Sequence, residues 1–286
     1  MVTAAAGAPL AVVHVDLDGA RHIFRAHGWT YDRHDDPLFE SGLRGALDVF
    51  AGAGIKATLF VIAEDAADAR KAALIREAVK AGHELASHSV THRRLTALDR
   101  AGKRREIVDS RAVLSDTFGV NVQGFRAPGF FCDPECLELI GEAGYAYDSS
   151  ELAGRAQRPR APYRPLAGQA LLELPLPALA PLGWPFHPSY SLVAGSWYFN
   201  LGVAEHRRQS RPFVLLFHLT DLAEALDGSR LHGWSQRIFT LSYRSADKKR
   251  ARCRAMLDAV RRHFTMATTA ELVQAAGKIA STPAAR

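Results

Sequence analysis

Short apolar runs recur through the first half of this chain, and each ends in a polar cluster before a stretch of helical spacing begins. Residues 10–15 form a valine-rich run that closes on Asp16-Leu17-Asp18-Gly19. Residues 43–50 have helical spacing and stop at Gly52 and Gly54. IKATLFVI at 55–62 reads as a second buried strand, residues 66–80 as a helix closed by Gly82, and HELAS at 83–87 as a third strand. Thr96 with Asp99 reads as a capping box opening a charged helix that runs to Phe118-Gly119. A strand at 124–127, a helix at 134–143 and a strand at 145–148 complete the run. Strands alternating with helices predict a parallel sheet, either open and doubly wound or closed into a barrel. In both architectures chemistry collects at the C-terminal ends of the strands. DLDG, SHSVTH, RAPG and YDSS all fall there.

The second half breaks the rhythm. Nine of the 14 prolines fall between Pro159 and Pro212, which predicts a long loop without long helices, with LLELPL at 171–176 as a strand. Regularity returns with a strand at 213–217 ending in His218, a helix at 247–263 and a strand at 264–268. The expected organisation is an N-terminal extension (1–9), one barrel domain (10–275) containing the proline-rich insertion (159–212), and a C-terminal tail (276–286). With 286 residues, 48% hydrophobic and 23% charged, the composition is globular. Three cysteines exclude a disulfide scaffold and fit a reducing compartment. The net charge of +6 is spread along the chain, so nucleic-acid binding gains no support. No apolar run reaches 18 residues, so no membrane-spanning segment is expected. No charged leader precedes the first apolar stretch, and the expected location is cytoplasmic.

Two imidazoles four residues apart, His88 and His92, predict a pair projecting on one side of a helical turn, able to reach one metal. A third ligand must come from another strand end. Asp16 and Asp18 supply two acids on one face of the first strand. One can ligate while the other takes a proton. The plainer alternatives are surface histidines and helix-capping acids. His218 is either a site residue or a core histidine, and Arg126 either a site residue or a structural ion pair. Asp148 either orients His218 or caps the next segment, and Asp221 reads as a turn or cap residue. His14 reads as structural, and Cys132 and Cys136 as free thiols at a loop–helix junction.

The motifs HVDLDG, SHSVTH, FRAPG, YDSS and LLFHLTD, in this order, resemble those of the polysaccharide deacetylase family, carbohydrate esterase family four, with the NodB-homology fold. The resemblance spans residues 12–272. It implies an α/β fold, a distorted (β/α) barrel of about seven parallel strands in a single domain. It also implies metal-dependent removal of an N- or O-acetyl group, usually from an amino sugar. Carried onto this chain, the metal ligands are Asp18, His88 and His92, the general base is Asp16 and the general acid His218. Arg126 holds the base, and the backbone N–H near Gly129 serves the oxyanion. Leu216 and Leu219 suggest an apolar pocket for the acyl methyl. Two departures stand out: Leu17 separates acids that are adjacent in the commonest family form, and Gly129 stands where an aromatic residue is common.

The expected reaction is therefore hydrolysis of an acylated amino sugar, small glycan or glycolipid. Zinc is the default for one Asp and two His, with cobalt, nickel or manganese fitting the same ligands. Alternatives are a deformylase or other amide hydrolase on a lipid-linked sugar, a metal-free amidase of the same fold, and a carbohydrate-binding pseudoenzyme. Trp184 and Trp197, in the proline-rich segment, read as a sugar-stacking wall or as core.

Overall fold

The structure, a computed structural model, describes residues 7–154, 158–179 and 183–280. Parts of the expected N-terminal extension (1–6) and tail (281–286) lie outside the described residues. The chain opens with strand β1 (Leu10–Asp16) and helices α1 (Ala20–Ala26) and α2 (Pro37–Ala53). There follow β2 (Thr58–Val61), α3 (Ala69–Lys80), β3 (Glu84–Ser87), α4 (Arg100–Arg104), α5 (Ser110–Phe118), β4 (Gly124–Phe125), α6 (Pro134–Glu142) and β5 (Tyr147–Asp148). Next come β6 (Leu172–Glu173), the antiparallel pair β7 (Ala178–Leu179) and β8 (Trp184–Pro185), α7 (Pro188–Ala194) and α8 (Ser196–Gln209). The chain then forms β9 (Phe213–His218), α9 (Trp234–Phe239), α10 (Ala246–Arg261), β10 (Thr265–Met266) and α11 (Thr269–Ala280).

Seven parallel strands run in the order β9-β1-β2-β3-β4-β5-β6, and the short β10 pairs with the start of β1. No pairing joins β6 to β9 among the described residues, so the sheet is a curled, incomplete barrel. This is the barrel that the motifs imply. Alternation along the strands sorts the side chains into two cores. Val12, Phe60, Ala86, Tyr147, Leu172 and Leu216 fill the interior. Val13, Leu59, Phe125, Leu215 and Phe217 face outward into the helical layer. The strands are buried on both faces, as expected of a helix-covered parallel sheet.

Local signals explain most helix boundaries. Pro37 occupies the first turn of α2, Asp36 caps it by accepting the Phe39 N–H at 3.1 Å, and Gly54 ends it in the left-handed conformation. Asp68 caps α3 in the same way. Two expectations need correction. Asp99, not Thr96, caps α4, because Thr96 is taken up in a short 3-10 turn. The proline-rich segment also holds helices, α8 being 14 residues long. Its prolines crowd before 188, Pro188 sits harmlessly in the first turn of α7, and the next proline is Pro212. Helix α11 continues past residue 275, where a tail was expected to begin. Among the described residues no helix is long and apolar enough to cross a membrane.

Gly124 on β4 faces Tyr147 on β5, and a Cβ there would lie 2.1 Å from the tyrosine ring. Gly124→Ala must therefore displace Tyr147 from the interior core, at a cost of about 1–3 kcal/mol. A lowered urea midpoint with unchanged slope is the expected result. An unshifted midpoint would contradict this packing.

Candidate active site

One rim of the barrel collects side chains from four strand ends. β1 ends on Asp16 and continues through the buried Leu17 to Asp18, β3 leads into His88, β4 into Arg126, and β9 ends on His218. Asp16 and His218 are register partners on neighbouring strands.

Asp18, His88 and His92 each turn one donor atom toward a common point, all within 4.8 Å of one another. The Nε2 atoms of His88 and His92 stand 3.5 and 3.3 Å from Asp18 Oδ1. Asp18 Oδ1 and both ring nitrogens of His92 are buried without a hydrogen-bond partner, an arrangement that costs about 1–3 kcal/mol per atom unless something satisfies them. Burial pushes the His88 imidazole below its ordinary range against the pull of Asp16 and Asp18. Burial and the neighbouring His22 push His92 down to about 3. Both rings are thus neutral, the form that donates a lone pair. His88 Nδ1 donates to the Arg126 carbonyl at 2.8 Å, which leaves Nε2 free to ligate. Two neutral imidazoles and a carboxylate fit a divalent transition-metal ion.

The two histidines do not sit on a helical turn, as their spacing predicts. They occupy a loop in which Ser89 and His92 both take positive φ, 67° and 56°. Such conformations cost of order 1–3 kcal/mol in non-glycine residues and persist only where the surroundings hold them. Ser89 Oγ accepts the His92 N–H at 3.0 Å. Glu106 accepts the Val90 and Thr91 N–H groups at 2.9 and 2.8 Å and the Thr91 hydroxyl. Glu106 lies in a π-helical turn, Arg105–Asp109, between α4 and α5. Nothing local in the sequence marks it.

Arg126 is fully buried. It donates from Nη1 to Asp16 Oδ1 at 2.6 Å, from Nε to the Ser149 carbonyl at 2.8 Å and from Nη2 to Ser149 Oγ at 2.8 Å. Its Nη2 also donates to His14 Nδ1 at 2.7 Å, and His14 Nε2 bonds Thr269 Oγ1 at 3.0 Å. Burial alone would raise the Asp16 carboxyl, but the Arg126 charge, with His88 and His218, pulls it down to about 2. The other oxygen of Asp16 lies 3.9 Å from His88 Nε2 and 3.8 Å from His218 Nε2. On the far side of its ring, His218 Nδ1 is 3.1 Å from Ser189 Oγ at the start of α7, and its backbone N–H donates to Asp221 Oδ2 at 2.9 Å. Asp221 is thus the local cap that the sequence suggests.

The remaining expected residues lie further out. Asp148 meets Ser150 and Glu173 rather than His218: Ser150 donates to it at 2.7 Å, and Glu173 is its register partner. Leu216 is buried one inward step below His218 in the interior core, and Leu219 packs in the outer one. Gly129 has φ 63° and lines a cavity of about 710 Å³ together with His92, Arg25, Arg94 and Phe131. Phe131, two residues after the expected aromatic position, supplies a ring there, with the Arg94 guanidinium 3.7 Å above it. Trp184 and Trp197 are exposed, at 59% and 65%, and are not core.

The fold is thus a curled parallel barrel whose rim carries an Asp-His-His cluster beside a buried arginine–aspartate pair. Residues 24–147 match the polysaccharide deacetylase family model, as the motifs imply. The chain is 34% identical over 118 residues to a chitooligosaccharide deacetylase of Sinorhizobium fredii, covering 41% of this chain and 53% of that protein. It is 34% identical over 82 residues to a bifunctional xylanase/deacetylase of Pseudobutyrivibrio xylanivorans, covering 29% and 14%. The chain thus spans about half the length of the first of these relatives and less of the second. Among solved structures, a candidate polysaccharide deacetylase from Mycobacterium smegmatis aligns with a TM-score of 0.70 at 19% identity, over 98% of this chain and 94% of that one. Puue allantoinase aligns with a TM-score of 0.65 at 16% identity, over 98% and 93%. These two likenesses show the fold.

Asp148 and Glu173 form a buried acid pair behind the rim. Burial lifts the Asp148 carboxyl to about 6, and burial together with Asp148 holds Glu173 well above its ordinary range. The folded chain therefore keeps a proton that the unfolded chain releases near 3.8. It binds more protons between these values, so stability falls as pH rises through the window and beyond. Glu173→Gln retains a neutral partner at every pH. It should melt higher than the wild type at pH 8 by the equivalent of about 1–3 kcal/mol and match it at pH 4. Parallel melting curves for the two proteins from pH 4 to 8 would count against a shared proton.

Proposed function

We propose that the chain is a metal-dependent hydrolase that removes an acyl group, acetyl in the first instance, from an amino sugar, small glycan or glycolipid. The observation that carries this reading is the position of Asp16. Arg126 bonds one of its oxygens, and the other faces His88 of the ligand cluster and His218 across the rim. Asp18, His88 and His92 would hold one divalent ion, for which zinc is the default. Such an ion polarises an amide carbonyl and acidifies water. Asp16, kept ionised by Arg126, takes the proton of the attacking water. Gly129 lines the cavity, and its N–H would donate to the oxyanion as the carbonyl becomes tetrahedral. His218 Nε2 gives a proton to the departing amine nitrogen as the C–N bond breaks, because an amide anion is too poor a leaving group. Arg25, Arg93 and Arg94 line the cavity beside His92, which favours a substrate carrying negative charge. The cavity's size suits one or two sugar rings rather than a polymer face.

Acetate release from N-acetylated sugars, sugar nucleotides and glycolipids, with and without chelator, tests the activity. The purified chain should carry about one divalent ion, lost in His88→Ala and in His92→Ala. Asp16→Asn should keep the ion and lower kcat by ~10²-fold or more. Loss of the ion from Asp16→Asn with retention in Asp18→Asn would reverse the two roles.

The acid has its own test. His218→Ala should depress hydrolysis of an amide far more than that of an activated ester, whose leaving group needs no proton. Equal losses on the two substrates would remove His218 from that role.

A further inference from the structure

Helix α8 is apolar on two sides. Its inner side buries Tyr198, Phe199, Gly202 and Val203. Its outer side exposes Trp197 and Leu201, at 65% and 54%. The stripe continues onto α7 with Tyr190 and Val193, at 48% and 54%, and the Trp197 Nε1–H donates to the Ala194 carbonyl at 2.8 Å, tying the two helices' outer faces together. Exposed Trp184 lies alongside, since the Tyr198 hydroxyl donates to the Pro185 carbonyl at 2.8 Å. A surface helix normally turns one apolar face inward and a polar face to water. A second apolar face with two tryptophans and a tyrosine marks something that covers it.

The charges beside the stripe say what that is. Arg207, Arg208 and Arg211 follow along α8 and its end, and Arg262 and His263 end α10. A cavity of about 300 Å³ between α8 and α10 is lined by Asn200, Ala204, Arg207, Arg262 and His263, with no carboxylate in its wall. Arg207, Arg208 and Arg262 are exposed and Arg211 is half-buried. Helix C-termini favour cations, which accounts for arginines at these ends but not for the bare tryptophan stripe next to them. A second copy of the chain fits poorly, because a self-complementary contact brings like patches together and sets arginine clusters near one another. An anionic bilayer matches both halves. Tryptophan and tyrosine favour the membrane–water interface, and arginines beside them take lipid phosphates.

We propose that the outer face of α7 and α8, with Trp184 of β8 beside it, docks the protein on an anionic lipid surface. The docked face begins at the active-site rim. Ser189, in the first turn of α7, meets His218, and Tyr190 packs on His187, whose ring lies 5.0 Å from that of His218. A headgroup at the bilayer surface would thus be presented beside the rim. The docking itself does not depend on the proposed reaction.

The test is flotation of the full chain with vesicles of phosphatidylcholine alone or mixed three to one with phosphatidylglycerol, at low and high salt. Binding to the mixed vesicles at low salt is expected, with a blue shift of tryptophan emission. Trp197→Ser with Leu201→Ser, and separately Arg207→Ser with Arg208→Ser, should weaken binding by about tenfold or more while melting temperatures stay unchanged. The proposal is overturned by absence of binding to the mixed vesicles, or by equal binding of the folded Trp197/Leu201 variant. It is overturned equally by a dimer that dissociates in that variant, by capture of an acidic protein without vesicle binding, or by titration with inorganic phosphate alone.

Discussion

The Arg126 guanidinium carries a full charge at zero exposure, and the rim is arranged around satisfying it. Its partners come from two strands, Asp16 and His14 on β1 and Ser149 just past β5, while Arg126 itself follows β4. The Phe60 ring of β2 lies 3.9 Å beneath it. Removing one partner of such a buried pair costs about 3–5 kcal/mol, because the remaining charge has no water to fall back on. The strands can therefore close only in the register that delivers these partners together. The same residue's carbonyl selects the His88 tautomer. One side chain and its own backbone thus set both the ionisation of Asp16 and the free nitrogen of His88, a candidate metal ligand.

The layers around that pair follow from alternation. On β1 the inward residues are Val12, His14 and Asp16, and on β9 they are Val214, Leu216 and His218. Strand β9 passes from apolar interior to polar rim in its last inward step, whereas β1 turns polar one step earlier, at His14, which bonds Arg126 and Thr269. The candidate site is thereby confined to one end of the barrel, above the interior apolar cluster. Low local polarity strengthens every electrostatic contact above it. The loops bearing His92 and Gly129 adopt strained or glycine-only backbone conformations and are held from outside, by Glu106 and by Ser150, whose Oγ accepts the Ala127 N–H at 2.8 Å.

Much of this was legible in the sequence, and the remainder has identifiable causes. Strand positions were readable because doubly buried strands are continuous apolar runs, and the rim because polar clusters follow them. The His88–His92 spacing pointed to a shared ligand point, but a four-residue interval suggests a helix, and only the Glu106 clamp from a π turn makes a loop do the same. His14 looked structural because an inward histidine on an apolar strand has no local mark of its partner, which is 112 positions away. Asp148 invited a link to His218 because both follow strands, yet its side chain points to the opposite face from Tyr147 and meets Glu173. The count of prolines hid α8 because density over a segment says nothing about the proline-free interval inside it.

Two buried acids, Asp16 on the rim and Asp148 behind it, are driven in opposite directions by their surroundings, and the contrast bears on the chemistry. Asp148, buried among acids, is pushed up to about 6, while Asp16, buried against Arg126, is pulled down to about 2. Environments that split carboxyl groups in this way assign them different work. Asp148 can hold a proton and brace the Ser150 contact that supports the Ala127–Gly129 turn. Asp16 is always ionised at neutral pH, but a carboxylate held so low is a weak base. It can take a proton only from a water whose own acidity has been raised by several units. The neutral imidazoles and the unpartnered Asp18 oxygen beside it fit the donor set of a divalent ion, which would supply such acidity. On the proposed reading, the Arg126–Asp16 pair and the Asp18-His88-His92 cluster are complementary, because Asp16 would be useful as a base only with an ion held in that cluster.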